Sequence, residues 1–166
     1  MAGMRALHLA MVLCVLGSAA GCDGGVKQSL KKALGQYAAY DGKADPEAQL
    51  KAALAEAQAR NTRVIAQFGG NWCVFCQALD ELIERDATLK GLQQKYVTIH
   101  IDAGSADAMN ARYGKPFDHG FPVILVFDKD GKLIHTQAST SFQLPGVVGH
   151  DPAGVAAFLS AWLPPT

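Results

Sequence analysis

The stretch of sequence that decides the fold is FGGNWCVFCQAL, residues 68–79. The apolar run at 64–68 predicts a buried strand, the glycine pair after it lets the chain turn, and a helical pattern begins at Cys73. We therefore expect Cys73 at a helix N-terminus, where unpaired backbone N–H groups and the positive end of the helix dipole favour a thiolate over a thiol. Cys76 lies three residues further along the same helix face, within reach of a disulfide. Such a pair can open and close while the domain stays folded.

The beginning of the chain has the pattern of an export signal. The chain has 166 residues, of which 49% are hydrophobic, which is enough for the core of one domain and too few for two. Residues 1–21 combine Arg5, an apolar stretch at 9–16 and small residues at the end, as a secretory signal does. We divide the chain into a signal peptide at 1–21, a tether with a short helix at 22–44, and one domain at 45–166.

The signal ends directly before a cysteine. Residues 19–22, AAGC, resemble a bacterial lipobox, in which the cysteine becomes the lipid-modified N-terminus. The usual large aliphatic residue three positions before that cysteine is here Ala19, so ordinary signal-peptidase cleavage stays open as an alternative. We expect a periplasmic protein that is anchored to the membrane by a lipid on Cys22.

Charge and cysteine content narrow the functional classes. Without the signal, the chain keeps 14 basic and 15 acidic residues, so no basic field argues for nucleic acid as a partner. Of the four cysteines, Cys14 leaves with the signal and Cys22 is the expected lipid site, which leaves Cys73 and Cys76 in the domain. An exported domain stabilised by structural disulfides would have more pairs at longer spacing. A single local pair favours redox chemistry.

The order of predicted elements indicates the fold class. Strands are predicted at 63–68, 96–102, 121–127 and 132–137, and helices at 47–60, from 73, at 87–95, 105–113 and 153–163. Because strands alternate with helices, a right-handed crossover makes one parallel pair, and the Asp-Gly turn at 128–131 adds an antiparallel hairpin. We predict an α/β fold in which a central mixed four-stranded sheet is flanked by helices.

Several motifs together resemble the thioredoxin superfamily over about residues 45–163. They are the Trp-Cys-x-x-Cys that opens a helix, the Gly-Phe-Pro at 120–122 before an apolar strand, and the Asp-Gly hairpin turn. Within the superfamily, the Gly-Asn-Trp approach and the apolar pair between the cysteines most resemble the C-terminal domain of bacterial thiol reductant transporters and related periplasmic proteins. The resemblance implies a thioredoxin-like fold, with Cys73 as nucleophile and Cys76 as resolving cysteine. It also implies that Pro122 is the cis-proline, which turns the Phe121 backbone towards an extended substrate. We add Trp72 to the predicted substrate-binding residues as a half-exposed lid on the disulfide, with a packing role alone as the alternative.

One position departs from the thioredoxin pattern. Thioredoxins carry a buried aspartate six residues before the first cysteine, where it shuttles the proton of the resolving thiol, and this chain has Gln67 there. A glutamine cannot exchange a proton near neutral pH. Water or another acid is then needed, or the second step is slower.

The predicted function is that of a thiol-disulfide oxidoreductase that reduces protein disulfides or relays electrons to them. The apolar pair Val74-Phe75 brings no charge or hydrogen-bond donor that would make a strong oxidant, which favours the reducing direction. We expect no cofactor besides the redox-active Cys73–Cys76 pair, a membrane thiol reductant transporter as electron donor, and a monomer. The alternative is a Cu(I) metallochaperone or assembly factor that uses the same two thiols, because soft ligands suit Cu(I).

Overall fold

The computed structural model describes residues 37–164. The signal predicted at 1–21, Cys22 and most of the tether predicted at 22–44 lie outside the described residues. The strands are β1 (Val64–Gly69), β2 (Val97–Asp102), β3 (Val123–Phe127) and β4 (Leu133–Ala138). The helices are α1 (Pro46–Ala59), α2 (Val74–Arg85), α3 (Ala87–Gln93), α4 (Asp107–Arg112) and α5 (Pro152–Ala161). Short 3₁₀ turns lie at Ala103–Ser105, Pro116–His119 and Ser139–Phe142.

The four strands form one mixed sheet in the order β2-β1-β3-β4. β1 pairs in parallel with β2, and it pairs antiparallel with β3 on its other side. β3 and β4 form the antiparallel hairpin that the Asp-Gly turn predicts. The predicted fold class, a mixed four-stranded sheet flanked by helices, is confirmed.

Two helices begin at the capping residues that the sequence indicates. The Asp45 side chain accepts hydrogen bonds from the backbone N–H groups of Glu47 and Ala48 at the start of α1. Asp151 does the same at the start of α5, and a proline occupies the first helical position in both cases. These caps satisfy N–H groups that have no partner within the helix.

The two faces of the sheet bury separate apolar clusters. Alternate residues of a strand point to opposite faces, so that β1 supplies Phe68 to one cluster and Ile65 to the other. The first cluster is completed by α1 and α4, and the second by α2, α3 and α5. No helix within residues 37–164 is both long enough and apolar enough to span a bilayer.

The structure differs from the predicted elements at three places. Residues 37–44, which the sequence assigns to the tether, form no helix in the structure, and Tyr40 is buried. The predicted helix at 105–113 is shortened to α4 after a separate 3₁₀ turn. The predicted strand at 121–127 begins only at Val123, because Pro122 has no N–H group to donate to a neighbouring strand.

Candidate active site

Cys73 lies at the N-terminus of α2, as the N-cap residue. Its Sγ atom accepts a hydrogen bond from the backbone N–H of Cys76 at 3.2 Å. The two residues form a disulfide, with their Cα atoms 5.2 Å apart. Because a thiolate at Cys73 would accept the same bond and face the positive end of the helix dipole, this position favours ionisation of that sulfur.

The two sulfurs differ in their access to solvent. Cys73 keeps 5% of its surface exposed, whereas Cys76 has none. Because Cys73 is the less deeply buried of the two residues, we expect a sulfur of another molecule to approach Cys73 and not Cys76. This difference agrees with the roles that the resemblance implies, nucleophile for Cys73 and resolving cysteine for Cys76.

The glycine pair before the cysteines is required by space as well as by the turn. A Cβ atom at Gly69 would lie 2.5 Å from the Cys76 sulfur and 2.8 Å from the Tyr40 hydroxyl. A Cβ atom at Gly70 would lie 2.2 Å from Nε1 of Trp72, because the indole folds back over this residue. Both distances are shorter than van der Waals contact, so a larger residue at either position would displace the site.

The residues predicted to bind substrate gather beside the disulfide. Trp72 is 64% exposed, and its ring meets that of Phe121 edge to face with centroids 5.5 Å apart. Phe121 is half-buried and packs against the cluster of Tyr40, Cys73 and Cys76. The Phe121–Pro122 peptide bond is cis, which is the isomer that the resemblance implies.

An apolar surface adjoins the active-site helix, and we call it the apolar rim. Its members are the large hydrophobic side chains that are exposed within residues 37–164: Trp72, Val74, Leu144, Val147 and Val148. The last three lie on the loop at 143–150, and residues 143–148 line a groove together with Phe75. Sequence reasoning assigned no role to this loop.

His150 connects that loop to the active-site helix. Its Nε2 atom donates a hydrogen bond to the Phe75 carbonyl oxygen at 2.9 Å, and its ring contacts the rings of Phe75 and Phe142. At the same end of the loop, Gln143 and His150 form a β-bridge, and Leu144 N–H donates to the Gly149 carbonyl. The loop is thus held against the residues between the two cysteines.

A polar network surrounds Gln67, at the position where thioredoxins have aspartate. Gln67 Nε2 donates to the Tyr40 hydroxyl at 2.8 Å and to Oδ1 of Asp80 at 3.1 Å. His100 Nε2 lies 3.1 Å from each Asp80 oxygen, and the Tyr37 hydroxyl donates to Oδ2. The site therefore contains a half-buried carboxylate, but it lies on α2 rather than on β1.

The surroundings of these groups shift their pKa values in opposite directions. Burial raises the pKa of Asp80, but hydrogen bonds from His100, Tyr37 and Gln67 outweigh burial and hold that pKa below its usual range. Burial and the nearby Asp80 charge raise the pKa values of Tyr37 and Tyr40. At neutral pH the network thus holds one carboxylate and two protonated tyrosines.

Sequence reasoning missed most of this network. Asp80 had a usable signal, because it lies four residues after Cys76 and so on the same face of the helix. Tyr40 and His100 had none, since one belongs to the predicted tether and the other to the middle of a strand. Among residues 37–164, no group of three or more His, Cys, Asp or Glu side chains is arranged to hold a metal ion.

A family model described as thioredoxin-like matches residues 45–129. The chain belongs to the thioredoxin-like family. A solved structure described as a disulphide isomerase from Xylella fastidiosa Temecula1 is 29% identical to this thioredoxin-like chain. Its TM-score is 0.60, and the match covers 74% of this chain and 94% of that one.

Two further solved structures are similar to the chain at lower sequence identity. A DsbH oxidoreductase is 20% identical with a TM-score of 0.46, over 66% of this chain and 78% of that one. Thioredoxin O2 from Arabidopsis thaliana, in its oxidised state, is 15% identical with a TM-score of 0.42, over 71% and 90%. No curated protein sequence matches the chain.

The fold and the cysteine pair together indicate thiol-disulfide exchange as the general class of chemistry. The chain has a thioredoxin-like disulfide oxidoreductase fold with Cys73 and Cys76 at disulfide distance. Family and structural similarity support a redox enzyme. The closer resemblance to thiol reductant transporters, and the individual roles of the site residues, stay predictions.

Proposed function

We propose that this chain is a thiol-disulfide oxidoreductase of the bacterial cell envelope, which reduces protein disulfides or relays electrons to them. The observation that carries the proposal is the closed Cys73–Cys76 pair at the N-terminus of α2, with Cys73 the accessible sulfur. Phe121, which precedes Pro122, packs against the pair. This arrangement supports exchange with an extended client segment beside Cys73.

The proposed reaction has two exchange steps. The Cys73 thiolate attacks one sulfur of a client disulfide, and the other client sulfur leaves with the electron pair and takes up a proton. The Cys76 thiolate then attacks Cys73 Sγ, which forms the Cys73–Cys76 bond and releases the first client sulfur as a thiol. The client gains two electrons, and the cysteine pair loses two. All bonds made and broken lie between sulfur atoms of the chain and its client.

The residues between the cysteines support the reducing direction. Val74 is exposed and Phe75 is half-buried, and neither side chain can donate a hydrogen bond to the Cys73 sulfur. Thiolate stabilisation then rests on the backbone N–H of Cys76 and the helix dipole, without the added cation or donor that makes a strong oxidant. Re-reduction requires a donor, and a membrane thiol reductant transporter is the proposed one.

The apolar rim supports proteins as the substrates. Large apolar side chains that are exposed near one site often mark an interaction surface. Here the exposed apolar side chains flank the accessible sulfur, with Trp72 and Val74 on either side of it in the sequence. A partly unfolded client would offer apolar segments that this surface can cover, whereas a small disulfide such as oxidised glutathione would leave the loop at 143–150 without a role.

The proposed cellular location rests on sequence features that lie outside the described residues. The export signal at 1–21 supports delivery to the periplasm, and Cys22 is the proposed site of a lipid anchor. Metabolic labelling with a radioactive fatty acid tests the anchor. Label that persists after Cys22→Ser would contradict it.

Reduction of insulin by dithiothreitol tests the proposed activity. The purified protein should accelerate precipitation of the insulin B chain, and Cys73→Ser should abolish the acceleration. Cys76→Ala should retain the first step and accumulate a mixed disulfide with the client, which mass spectrometry would detect. No acceleration by the wild-type protein, together with stoichiometric Cu(I) binding by its reduced thiols, would instead favour the metallochaperone alternative.

A second assay separates reduction from isomerisation. The related Xylella fastidiosa structure is described as a disulphide isomerase, so the protein should also be incubated with a scrambled disulfide protein. A reductase with Cys76 intact should release clients quickly and restore little native pairing. Efficient recovery of native disulfides would refute the reductase assignment and leave the oxidoreductase chemistry in place.

A further inference from the structure

Cys76 has a second close neighbour besides Cys73, the hydroxyl group of Tyr40. Both residues are buried and belong to one apolar cluster. The space that a side chain at Gly69 would fill is bordered by the Cys76 sulfur at 2.5 Å and the Tyr40 hydroxyl at 2.8 Å. The sulfur and the hydroxyl thus border the same small space beside Gly69, which stays open because glycine has no side chain.

The hydrogen bonds around Tyr40 determine what its hydroxyl can do. The Tyr40 oxygen accepts a hydrogen bond from Gln67 Nε2, and the Tyr40 hydroxyl also interacts with the Tyr37 hydroxyl, whose own proton goes to Asp80. The Tyr40 proton can therefore be donated to the Tyr37 oxygen or to an opened Cys76. The second hydrogen of the same Gln67 amide nitrogen goes to Asp80, which His100 holds from the other side. The donated bond also polarises the hydroxyl and makes it a stronger donor.

The backbone of Tyr40 is fixed to the segment that carries the cysteines. Tyr40 N–H donates to Asn71 Oδ1 at 3.0 Å, and Asn71 Nδ2 donates to the Tyr40 carbonyl oxygen at 2.7 Å. Asn71 lies two residues before Cys73. The hydroxyl is therefore positioned relative to the active site from both ends of the residue.

We propose that Tyr40 donates a hydrogen bond to the Cys76 sulfur once the disulfide opens, and that Gln67 and Asp80 position the hydroxyl for this purpose. The inference rests on the proposed oxidoreductase function and concerns its second step. Tyr40 is the group whose hydroxyl borders the reacting sulfur, and Gln67 and Asp80 act through it.

The chemical consequence concerns the step in which the client is released. Cys76 loses its proton to water, its sulfur forms the bond to Cys73, and the client sulfur leaves with the electron pair and is protonated. A hydrogen bond from Tyr40 stabilises the charged form of Cys76 and so lowers its pKa. The tyrosine would thus replace, by a different route, the aspartate that thioredoxins have at the position of Gln67.

The electrostatic surroundings keep Tyr40 able to donate. The titratable groups that face Tyr40 are Tyr37, Asp80, His100 and Asp102. Burial, together with the charge of Asp80, raises the pKa of Tyr40, so it keeps its proton throughout the range in which thiols ionise.

Titration of Cys76 tests the proposal directly. In a Cys73→Ser background, the ultraviolet absorbance of the Cys76 thiolate is followed against pH, with and without Tyr40→Phe. Because the lost bond is one to a charged group, we expect Tyr40→Phe to raise the pKa of Cys76 by about one to two pH units. A pKa of Cys76 that does not change in this variant would overturn the proposal.

Release of a trapped client supplies the kinetic readout. Each unit of increase in pKa lowers the thiolate fraction tenfold at pH 7, but greater nucleophilicity restores part of the rate. With Cys73 intact, Tyr40→Phe should therefore slow the second step about three- to tenfold at pH 7 and leave the first step unchanged. The difference should shrink as the pH rises and reverse once Cys76 is ionised in both proteins, because the more basic thiolate of the variant then attacks faster. An equal slowing at every pH would show only a structural role and would refute the inference.

Two variants complete the design. Tyr96→Phe is the matched control, because it removes another buried tyrosine hydroxyl, which donates to the Leu159 carbonyl oxygen in the other apolar cluster, and it should change the Cys76 pKa by less than a third of the effect of Tyr40→Phe. If Tyr40→Phe does not fold, Gln67→Met keeps the hydroxyl but removes the amide that holds it, and should raise the pKa by a smaller amount. Failure of the wild-type protein to reduce insulin would reject the proposed function, while the Cys76 titration would still report on Tyr40.

Discussion

The contact between Gly69 and the disulfide gives a stability prediction. Gly69→Ala would place a methyl group 2.5 Å from the Cys76 sulfur and 2.8 Å from the Tyr40 hydroxyl. The sulfur is fixed by its bond to Cys73, and the Tyr40 backbone is bonded to Asn71, so neither neighbour can move away freely. Overpacking of this kind costs about 1–3 kcal/mol.

The melting temperature should fall accordingly. For a domain of this size, 1 kcal/mol corresponds to roughly 3–5 °C, so the oxidised Gly69→Ala protein should melt about 3–15 °C below the wild type. Urea unfolding followed by circular dichroism should show a lower midpoint with an unchanged slope, which indicates a loss of stability without a change in the surface exposed on unfolding.

The matched control should change the stability in the opposite direction. Gly91 lies exposed in α3, and no atom lies within 4 Å of the position that its Cβ would take. Gly91→Ala should therefore stabilise the protein by about 0.5–1 kcal/mol, because alanine loses less entropy than glycine in a helix. A Gly69→Ala protein that is as stable as Gly91→Ala would refute the packing argument.

Three further predictions follow from single residues. The pKa of Asp80 is depressed in the folded state, so its carboxylate adds stability above the unfolded-state pKa near 3.8 and loses that contribution as the pH falls through the folded-state pKa. Asp80→Asn should therefore lower the free energy of unfolding by about 1.5–3 kcal/mol at pH 7 and by progressively less below pH 4, as measured by urea unfolding. Val147→Asp should slow insulin reduction several-fold and leave reduction of a small aromatic disulfide unchanged. The near-isosteric Val147→Thr should slow insulin reduction less than Val147→Asp does. Equal effects of Val147→Asp on both substrates would contradict a role in client binding. Asp151→Ala should lower stability by about 1 kcal/mol, measured by thermal unfolding, because two N–H groups of α5 lose their acceptor.

Local sequence signals account for most of the fold. Asp45 and Asp151 mark helix starts because a cap acts within three residues, and the apolar run at 64–68 marks a strand that is buried on both faces. The order of elements then restricts the topology, since a parallel pair needs a crossover and a hairpin needs a short turn. The position of Cys73 could be predicted for the same reason, as it depends on the start of one helix.

The surroundings of Cys76 could not be predicted in this way. Its neighbours come from separate parts of the chain, with Tyr40 before α1, Gln67 on β1 and His100 on β2. Which side chains meet there depends on strand register, since Gln67 and His100 are directly opposed in the β1–β2 pair. Because β1 is buried on both faces, its hydrophobic pattern has no alternation that would distinguish one register from a shift by one residue. The same holds for the loop at 143–150, whose role depends on a contact between His150 and Phe75.

The residue that departs from the thioredoxin pattern is explained by this register. Gln67 lies 3.1 Å from the Asp80 carboxylate, and an aspartate at position 67 would bring a second carboxylate into the same buried space. Two carboxylates that share a site cannot both ionise at low cost, so one would have a strongly raised pKa. A glutamine nitrogen has two hydrogens, and it can satisfy the Asp80 carboxylate and the Tyr40 hydroxyl at once. The Asp80 carboxylate on α2 and the Gln67 amide on β1 are therefore compatible only as a pair. This chain carries its acid on the helix that follows the strand on which thioredoxins carry theirs.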